Sequence, residues 1–378
     1  MSSNHTPPGE QRRVRARAMG IGVGDLETGR WNAITDVRGV AVGHHTLIRG
    51  AGALVPGRGP VRSGVTAIVP HGDDVFRSKV AASAHVINGF GKCTGLAQLL
   101  ELGTLETPIL LTNTLSVGMV ADACVQWSVK IDPGIGISTT TVNPVVGECN
   151  DGYLNDIQGR HVRAEHVFAA LDSAAAGPVQ EGAVGAGTGM SAFGFKGGVG
   201  TASRCLPGSH GGFTVGVLLV ANCGARRDLL MAGVPVGREL EAPAAEPSHS
   251  DGSVMVVIAT DAPLAPHHLA RLTRRAVHGL ARTGAMSQHG SGDFVLAFST
   301  SNRIEHAPVG LTRRLELVED NGPLVDGLFR CVVECTEEAV YNALLMAETM
   351  EGRDGHVSQA LPVAELKKLL RRYVRLEG

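Results

Sequence analysis

Short runs of β-branched and apolar residues, separated by glycine-rich turns, recur along the chain. Runs of this kind are typical of buried strands. They predict strands at residues 37–42, 64–69, 109–113, 213–220, 253–260 and 294–299 and around Val332. Most of these runs lack the strict polar-apolar alternation of a strand that has one solvent-exposed face. The pattern therefore indicates sheets that are covered on both sides.

Amphipathic spacing predicts helices between these strands. The clearest helix begins at Pro266 and places Leu269, Leu272, Ala276 and Leu280 at core positions. Weaker patterns predict helices at 115–130, 163–176, 336–350 and 366–374, and residues 79–102 mix helical spacing with Gly89 and Gly91. Strands and helices come in blocks, which favours stacked sheets covered by helices over a doubly wound parallel sheet. The predicted fold class is therefore α+β.

The sharpest change of pattern lies at Gly252. Residues 237–252 form a polar, proline-containing run that predicts an exposed linker, whereas the strand that starts at Ser253 is apolar. A hydroxyl thus occupies the first position of a core strand. If the Gly252–Ser253 bond is cut, the hydroxyl becomes a nucleophile, and the new α-amine, with an ordinary pKa of about 7.7–8.0, is its base. The dipeptide alone is more typical of an ordinary turn.

Composition narrows the class of protein. The chain has 378 residues, 43% of them hydrophobic and 19% charged, with a net charge of −2. It lacks a basic stripe for nucleic acid and an apolar run of membrane-spanning length. Seven scattered cysteines indicate free thiols in a reducing compartment, so we expect a cytoplasmic protein. Residues 1–19 are predicted to be a disordered tail, and residues 20–378 a single catalytic domain.

Three further segments contain candidate catalytic or binding groups. A glycine-framed turn presents Ser291 and Asp293, which could hold and charge-balance an amine. Asn222 ends a strand, where its amide could donate to an oxyanion. Glu148 opens an acidic segment that could bind a cation or a substrate ammonium. Each segment is also explained by plain turn chemistry, which the pattern alone favours.

Two other patterns point to cofactors only weakly. Gly187–Ala192 fits a loose dinucleotide-binding pattern but lacks a βαβ frame. The adjacent pairs His44–His45 and His267–His268 lack the spacing of a metalloprotease motif, so we expect no metal site. We expect no organic cofactor either.

Several segments together resemble one known family. They are Thr112–Gly118, Asn150–Asp156, Gly187–Gly200, Gly252–Ser253, Ala259–Leu264, Gly290–Asp293 and Ala347–Met350. In this order and spacing they resemble the DmpA/BapA group, peptidase family S58. That group comprises L-aminopeptidase/D-esterases and β-peptidyl aminopeptidases. The resemblance runs from about Gly20 to the C-terminus.

The resemblance implies a four-layer αββα sandwich, layered like the N-terminal-nucleophile hydrolases but connected differently. It also implies a precursor that cleaves itself into an α chain, 1–252, and a β chain, 253–378, which assemble as a homotetramer. The implied activity is removal of the N-terminal residue from small peptides, amides or esters that have a free N-terminus.

The resemblance also implies roles for individual residues. Ser253 matches the nucleophile freed by cleavage after Gly252, and Asn222 matches the amide of the oxyanion hole. Ser291 and Asp293 match the pair that positions and tunes the nucleophile's amine.

On the substrate side, Glu148 matches the carboxylate that recognises the free amino group. Asn150 stands where the L-aminopeptidase/D-esterases have a tyrosine that assists the oxyanion, which makes β-peptide substrates a real possibility. An acyltransferase of the ornithine acetyltransferase type shares the fold, but its second chain starts with threonine. A non-catalytic, uncleaved scaffold and a nucleotide-dependent enzyme using the Gly187 loop are further alternatives.

Overall fold

The computed structural model of the protein describes residues 13–240 and 252–373. Its strands are β1 (Ala41–Arg49), β2 (Val61–Val69), β3 (Ser78–Gly89), β4 (Thr104–Leu105), β5 (Ile109–Asn113), β6 (Val145–Cys149), β7 (Ser191–Ala192), β8 (Phe195–Lys196), β9 (Gly198–Cys205), β10 (Thr214–Asn222), β11 (Ser253–Thr260), β12 (Gly292–Glu305), β13 (Met350–Glu351) and β14 (Val357–Ser358). Its α-helices are α1 (Leu96–Glu101), α2 (Val117–Ile131), α3 (Ala164–Asp172), α4 (Val236–Glu239), α5 (Pro266–Arg282), α6 (Pro323–Met346) and α7 (Val363–Arg372).

Two stacked sheets form the centre of the molecule. Among the described residues, one sheet has the order β4-β3-β12-β11-β10-β9 and the other β1-β2-β5-β6. Their facing sides share one apolar cluster, in which Leu111 of the smaller sheet packs with Leu218 and Val257 of the larger. Helices α5 and α6 cover the outer face of the larger sheet, and α2 and α3 cover that of the smaller. The α+β, four-layer αββα sandwich predicted from the sequence is therefore confirmed.

Two predicted elements have the wrong type, for physical reasons, and the strand predicted at 37–42 begins only at Ala41 because residues 37–39 form a turn. Residues around Val332 lie in α6 rather than in a strand. Residues 334–345 of that helix are buried on all sides. Its row of polar residues, Glu334, Glu338 and Asn342, is paired inside the fold instead of facing solvent, so the helix lacks the usual amphipathic pattern. Residues 78–89 form strand β3 rather than a helix. Its alanines alternate between the two cores, with Ala81 on the α5–α6 side and Ala82 and Ala84 between the sheets.

The N-terminal segment is ordered where the structure describes it. Residues 13–19 pack against the core, with Ala16 buried, Arg15 paired to Glu181 at 2.7 Å and Arg17 paired to Glu338 at 3.1 Å. This part of the chain therefore differs from the predicted disordered tail, whose residues 1–12 lie outside the described residues.

Two other predicted segments are described only in part. The predicted linker begins inside α4, and its residues 241–251 lie outside the described residues, as does Val374 of the last predicted helix. Among the helices that the structure describes, none combines the length and apolarity needed to cross a membrane.

Candidate active site

Strand pairing brings the candidate residues together at one end of the larger sheet. Asn222, the last residue of β10, pairs antiparallel with Ser253, the first residue of β11. Ser253 in turn pairs in parallel with Gly292 at the start of β12. The β6 strand of the smaller sheet stacks over this point, where a Cβ on Gly147 would lie 2.2 Å from Met255 Cε. Three distant stretches of sequence therefore meet around one hydroxyl.

The Ser253 hydroxyl is buried and accepts two hydrogen bonds. The backbone N–H of Asn150 donates to Ser253 Oγ at 3.2 Å, and Asn222 Nδ2 donates to it at 3.2 Å. The two donors come from opposite sheets. A pair of fixed N–H donors beside a hydroxyl can stabilise the negative charge that develops on the carbonyl oxygen when that hydroxyl attacks the carbonyl carbon.

The amide of Asn222 is held in one orientation. Its Oδ1 accepts from the backbone N–H of Ser191 at 2.9 Å, and its Nδ2 also donates to the Asn150 carbonyl at 3.0 Å. Because Oδ1 faces an N–H donor and Nδ2 faces a carbonyl acceptor, the positions of the oxygen and the nitrogen of the amide are both fixed. The N–H end therefore faces Ser253.

Ser291 and Asp293 form a buried pair beside Gly252. Ser291 Oγ donates to Asp293 Oδ1 at 2.6 Å, and both side chains are buried. Burial raises the pKa of Asp293, while hydrogen bonds from the Ser291 and Ser287 hydroxyls act in the opposite direction. A Cβ on Gly252 would lie 3.2 Å from Ser291 Oγ, and Gly292 N donates to the Gly252 carbonyl at 3.2 Å. The pair therefore lies beside the predicted cleavage bond.

Glu148 is a buried carboxylate at the end of β6. One oxygen accepts from the backbone N–H of Lys92 at 3.0 Å, and the other accepts from the Thr114 hydroxyl. Burial raises the pKa of Glu148, and these hydrogen bonds partly offset the rise. A Cβ on Gly91 would lie 3.2 Å from Glu148 Oε1 and 2.8 Å from Gly292 Cα. The carboxylate thus lies next to the strand that pairs with Ser253.

Asn150 contributes its backbone rather than its side chain. The Asn150 Oδ1 atom accepts from the backbone N–H of Gly152 at 2.9 Å, which closes a local turn. The side chain therefore stabilises its own loop, and the N–H that faces Ser253 belongs to the main chain. A sequence comparison of side chains at this position does not detect that contact.

Three supporting residues are not predicted by the sequence pattern. Ser191 orients Asn222, Thr114 binds Glu148, and Asn88 donates to the carbonyls of Gln288 at 3.1 Å and His289 at 3.0 Å, just before Ser291. Thr114 and Ser191 belong to segments that carry the family resemblance, but nothing in those segments indicated a role. Their contacts depend on strand packing that a linear pattern does not contain.

One group of side chains in the described part of the chain has the composition of a metal site. His267, His268 and Asp320 place possible ligand atoms within 4.8 Å of one another. However, His268 Nδ1 accepts from the backbone N–H of Ala265, so the neutral ring carries its proton on Nε2, facing Asp320. Arg271 also pairs with Asp320 at 2.7 Å. These contacts describe a charge-paired start of α5 rather than a prepared metal site.

Comparison with known proteins places the chain in a family. The model for Peptidase family S58 matches residues 32–358. Beta-peptidyl aminopeptidase BapA of Sphingosinicella microcystinivorans is 44% identical, with 96% of this chain and 93% of that protein covered.

Solved structures show the same likeness. The PH0078 protein of Pyrococcus horikoshii OT3 is 50% identical with a TM-score of 0.91, covering 96% of this chain and 100% of that one. The L-aminopeptidase D-Ala-esterase/amidase of Ochrobactrum anthropi, described as a variant of the Ntn hydrolase fold, is 42% identical with a TM-score of 0.88. That match covers 96% of this chain and 99% of the other. The chain therefore belongs to peptidase family S58 and is an aminopeptidase.

Proposed function

We propose that the protein is a self-processing serine aminopeptidase and amidase whose nucleophile is Ser253, freed as an N-terminus by cleavage after Gly252. The observation that carries this proposal is the convergence of the Asn150 and Asn222 N–H donors on Ser253 Oγ. The hydrogen-bonded pair Ser291–Asp293 beside Gly252 supports it. The family gives the class of reaction, and this geometry supports the choice of residue.

Maturation starts with attack of Ser253 Oγ on the Gly252 carbonyl carbon. The C–N bond breaks as the acyl group moves to oxygen, and the hydroxyl proton passes to the departing Ser253 nitrogen. Water then hydrolyses the resulting ester. The Gly252 carbonyl oxygen already accepts from Gly292 N at 3.2 Å, which polarises the carbon under attack. The products are a carboxylate on Gly252 and a free α-amine on Ser253.

Turnover then uses the same hydroxyl. The new amine takes the proton from Ser253 Oγ as the oxygen attacks the carbonyl that follows the substrate's first residue. Asn222 Nδ2 and the Asn150 N–H stabilise the tetrahedral oxyanion, and the Ser291–Asp293 pair positions the amine. The amine passes its proton to the leaving group, and water releases the acyl-enzyme.

The substrate class follows from Glu148. A buried carboxylate with two fixed donors provides a charge partner for the free ammonium of a small peptide, amide or ester. The Asn150 side chain turns into its own loop and presents no hydroxyl to the site. This favours substrates of the β-peptidyl type named for the BapA relative over those of the L-aminopeptidase/D-esterases. We further propose that the cleaved units assemble as a homotetramer in the cytoplasm.

Intact mass under denaturing conditions, together with N-terminal sequencing, tests the proposal. The purified protein is expected as two chains, residues 1–252 and 253–378, the second beginning Ser-Val-Met-Val. Ser253→Ala should give one chain of 39.3 kDa without activity on the p-nitroanilides of L-alanine, D-alanine and β-alanine. The control Ser301→Ala changes an exposed serine and should be cleaved and active. An uncut, freshly folded wild-type chain would refute the mechanism and favour a scaffold.

A further inference from the structure

The glycine-rich segment 187–198 encloses a buried ammonium group. Lys196 is fully buried, and its Nζ donates to the carbonyls of Gly187 at 3.1 Å, Met190 at 2.6 Å and Gly197 at 2.9 Å. These three acceptors use all three N–H bonds of the ammonium. A phosphate-binding loop presents backbone N–H groups to its ligand. Here carbonyl oxygens converge instead, so the segment holds a cation of its own chain and not a nucleotide.

Burial of this lysine is costly, and the proposed reaction does not use it. Removal from water lowers the pKa of Lys196 to about 7, and the carboxylate of Asp151 opposes that shift. The ammonium faces carbonyls of its own loop and has no hydrogen bond to Ser253. Because burial of a charged amine is unfavourable and Lys196 takes no part in the proposed bond making, its burial requires another role.

The loop that Lys196 holds is the loop that orients Asn222. Ser191, directly after Met190, donates its backbone N–H to Asn222 Oδ1 at 2.9 Å. Ser191 also pairs with Lys196 across the short β7–β8 hairpin. Phe193 N donates to the carbonyl of Cys223 at 2.9 Å, so the same loop binds the residue that follows Asn222.

We propose that Lys196 is a positioning residue for the oxyanion amide, acting through the Met190–Ser191 backbone on the orientation of Asn222. The inference rests on the proposed function, because it assigns Asn222 to the oxyanion. With the ammonium present, the Met190 carbonyl is drawn inward and the Ser191 N–H is held toward Asn222 Oδ1. Without it, the amide can rotate, and an acceptor oxygen in place of Nδ2 would repel the developing charge.

The test is a double-mutant cycle between Lys196→Met and Asn222→Ala, measured on cleaved enzyme with the best p-nitroanilide substrate. Misplacement of a catalytic group by about 1 Å costs on the order of 10²-fold. We expect Lys196→Met to lower kcat roughly 10- to 100-fold with little change in KM. In the Asn222→Ala background the same substitution should cause no further loss of kcat. A residue with a purely structural role would instead lower kcat by the same factor in both backgrounds.

Two controls make the outcome specific. Ser358→Ala removes the 2.8 Å hydrogen bond to the Ser191 hydroxyl but leaves the loop carbonyls untouched, and should keep wild-type kcat. Ser253→Ala shows whether the proposed function stands. If that variant still turns over substrate, both proposals fail. If it is inactive but the losses from Lys196→Met and Asn222→Ala multiply, only the positioning role fails.

If the Lys196→Met variant does not fold or does not cleave itself, Lys196→Gln is measured in its place. It retains two N–H donors over a shorter reach, so its kcat should lie between those of wild type and Lys196→Met. Wild-type kcat in a folded Lys196→Met enzyme would overturn the proposal. So would failure of both variants to give cleaved, soluble enzyme, because Lys196 would then be a folding residue.

Discussion

The side chain of Ser253 owes its proposed reactivity to its position rather than to its chemical type. It begins a buried strand, two N–H donors from different sheets reach its oxygen, and a serine–aspartate pair lies beside the preceding glycine. Each neighbour is an ordinary polar group. Burial makes their electrostatic effect larger than it would be in water.

The proposed oxyanion donor at residue 150 is the main-chain N–H, so we expect kcat to depend little on the side chain of Asn150. Asn150→Ala removes only the side chain that accepts from Gly152. The donor to Ser253 remains, so kcat should fall by less than about 10-fold, whereas loss of a true oxyanion donor costs roughly 10²–10³. Steady-state kinetics on the cleaved variant measure this. A loss as large as that of Asn222→Ala would mean that the Asn150 side chain acts directly.

The raised pKa of Glu148 predicts the acid limb of the pH profile. A carboxyl whose pKa is raised by burial stays protonated at pH values where an ordinary glutamate is charged. Since only the carboxylate binds an ammonium, kcat/KM should fall as the pH drops through this raised value. Thr114→Val removes a hydrogen bond that favours the charged form, so the acid limb should move to higher pH.

Thr312→Val, at an exposed threonine, is the matched control for this profile. It should leave the acid limb in place. Asp293 also has a raised pKa and titrates in the same site, but it does not contact Thr114. An acid limb that Thr114→Val leaves unmoved would come from Asp293 or from the Ser253 α-amine, which must be neutral to act as the base. It would therefore contradict the assignment of the limb to Glu148.

Among the elements, strands β2, β5, β10, β11 and β12 could be predicted from the sequence, whereas the buried strands β6 and β9, strand β3 and helix α6 could not. The run from Val254 to Ala259 is apolar at every position and is central in its sheet, so composition alone marks it as a strand. Helix α6 is buried all round, and its polar residues Glu334 and Glu338 pair inside the fold, so it lacks the solvent-exposed polar face that identifies a surface helix. Strand β3 is rich in alanine and serine, which carry little strand preference.

The site follows the same logic as these elements. Ser253, Asn222 and the Ser291–Asp293 pair stand next to predicted strands, so their locations could be predicted, together with a resemblance to a known family. Their meeting point depends on the parallel pairing of β11 with β12 and on the stacking of β6 over β11. Neither contact is local in sequence, and so Ser191, Thr114 and Lys196 were not found.

The packing of α6 on β9 depends on a glycine at close approach. A Cβ on Gly200 would lie 1.9 Å from the carbonyl oxygen of Ala339 and 2.7 Å from Ala343 N. Gly200→Ala must push the helix off the sheet and should lower the free energy of unfolding by about 1–3 kcal/mol. Gly208→Ala, where a Cβ meets nothing within 4 Å, should change it by less than about 0.5 kcal/mol.

Both glycine variants are best measured by thermal denaturation in the Ser253→Ala background, so that a single covalent chain unfolds. If Gly200→Ala has the same Tm as the Gly208→Ala control, α6 can move away from the sheet at little cost in stability. The close contact between α6 and β9 would then contribute little to stability.

At the scale of the whole molecule, the proposed cleavage divides the chain but not the fold. The larger sheet runs β4-β3-β12-β11-β10-β9, in which residues 253–378 supply only β11 and β12. These two strands are flanked by β3 and β10 from the first part of the chain. Helices α5 and α6, also from the second part, pack on strands of the first. Neither fragment therefore contains a complete hydrophobic core of its own.

This interleaving predicts that the two chains stay together after cleavage. Native gel filtration of cleaved protein should give one peak that contains both chains, and denaturant should separate them only together with loss of the folded signal. Residues 253–378 expressed alone should not fold, because β11 and β12 would expose both outer edges and the apolar face that packs on the smaller sheet. The uncut Ser253→Ala chain is the control and should elute at the same volume. Separation of the chains under native conditions would show that the cut loosens the sheet, and β11 could not then hold Ser253 against Asn222.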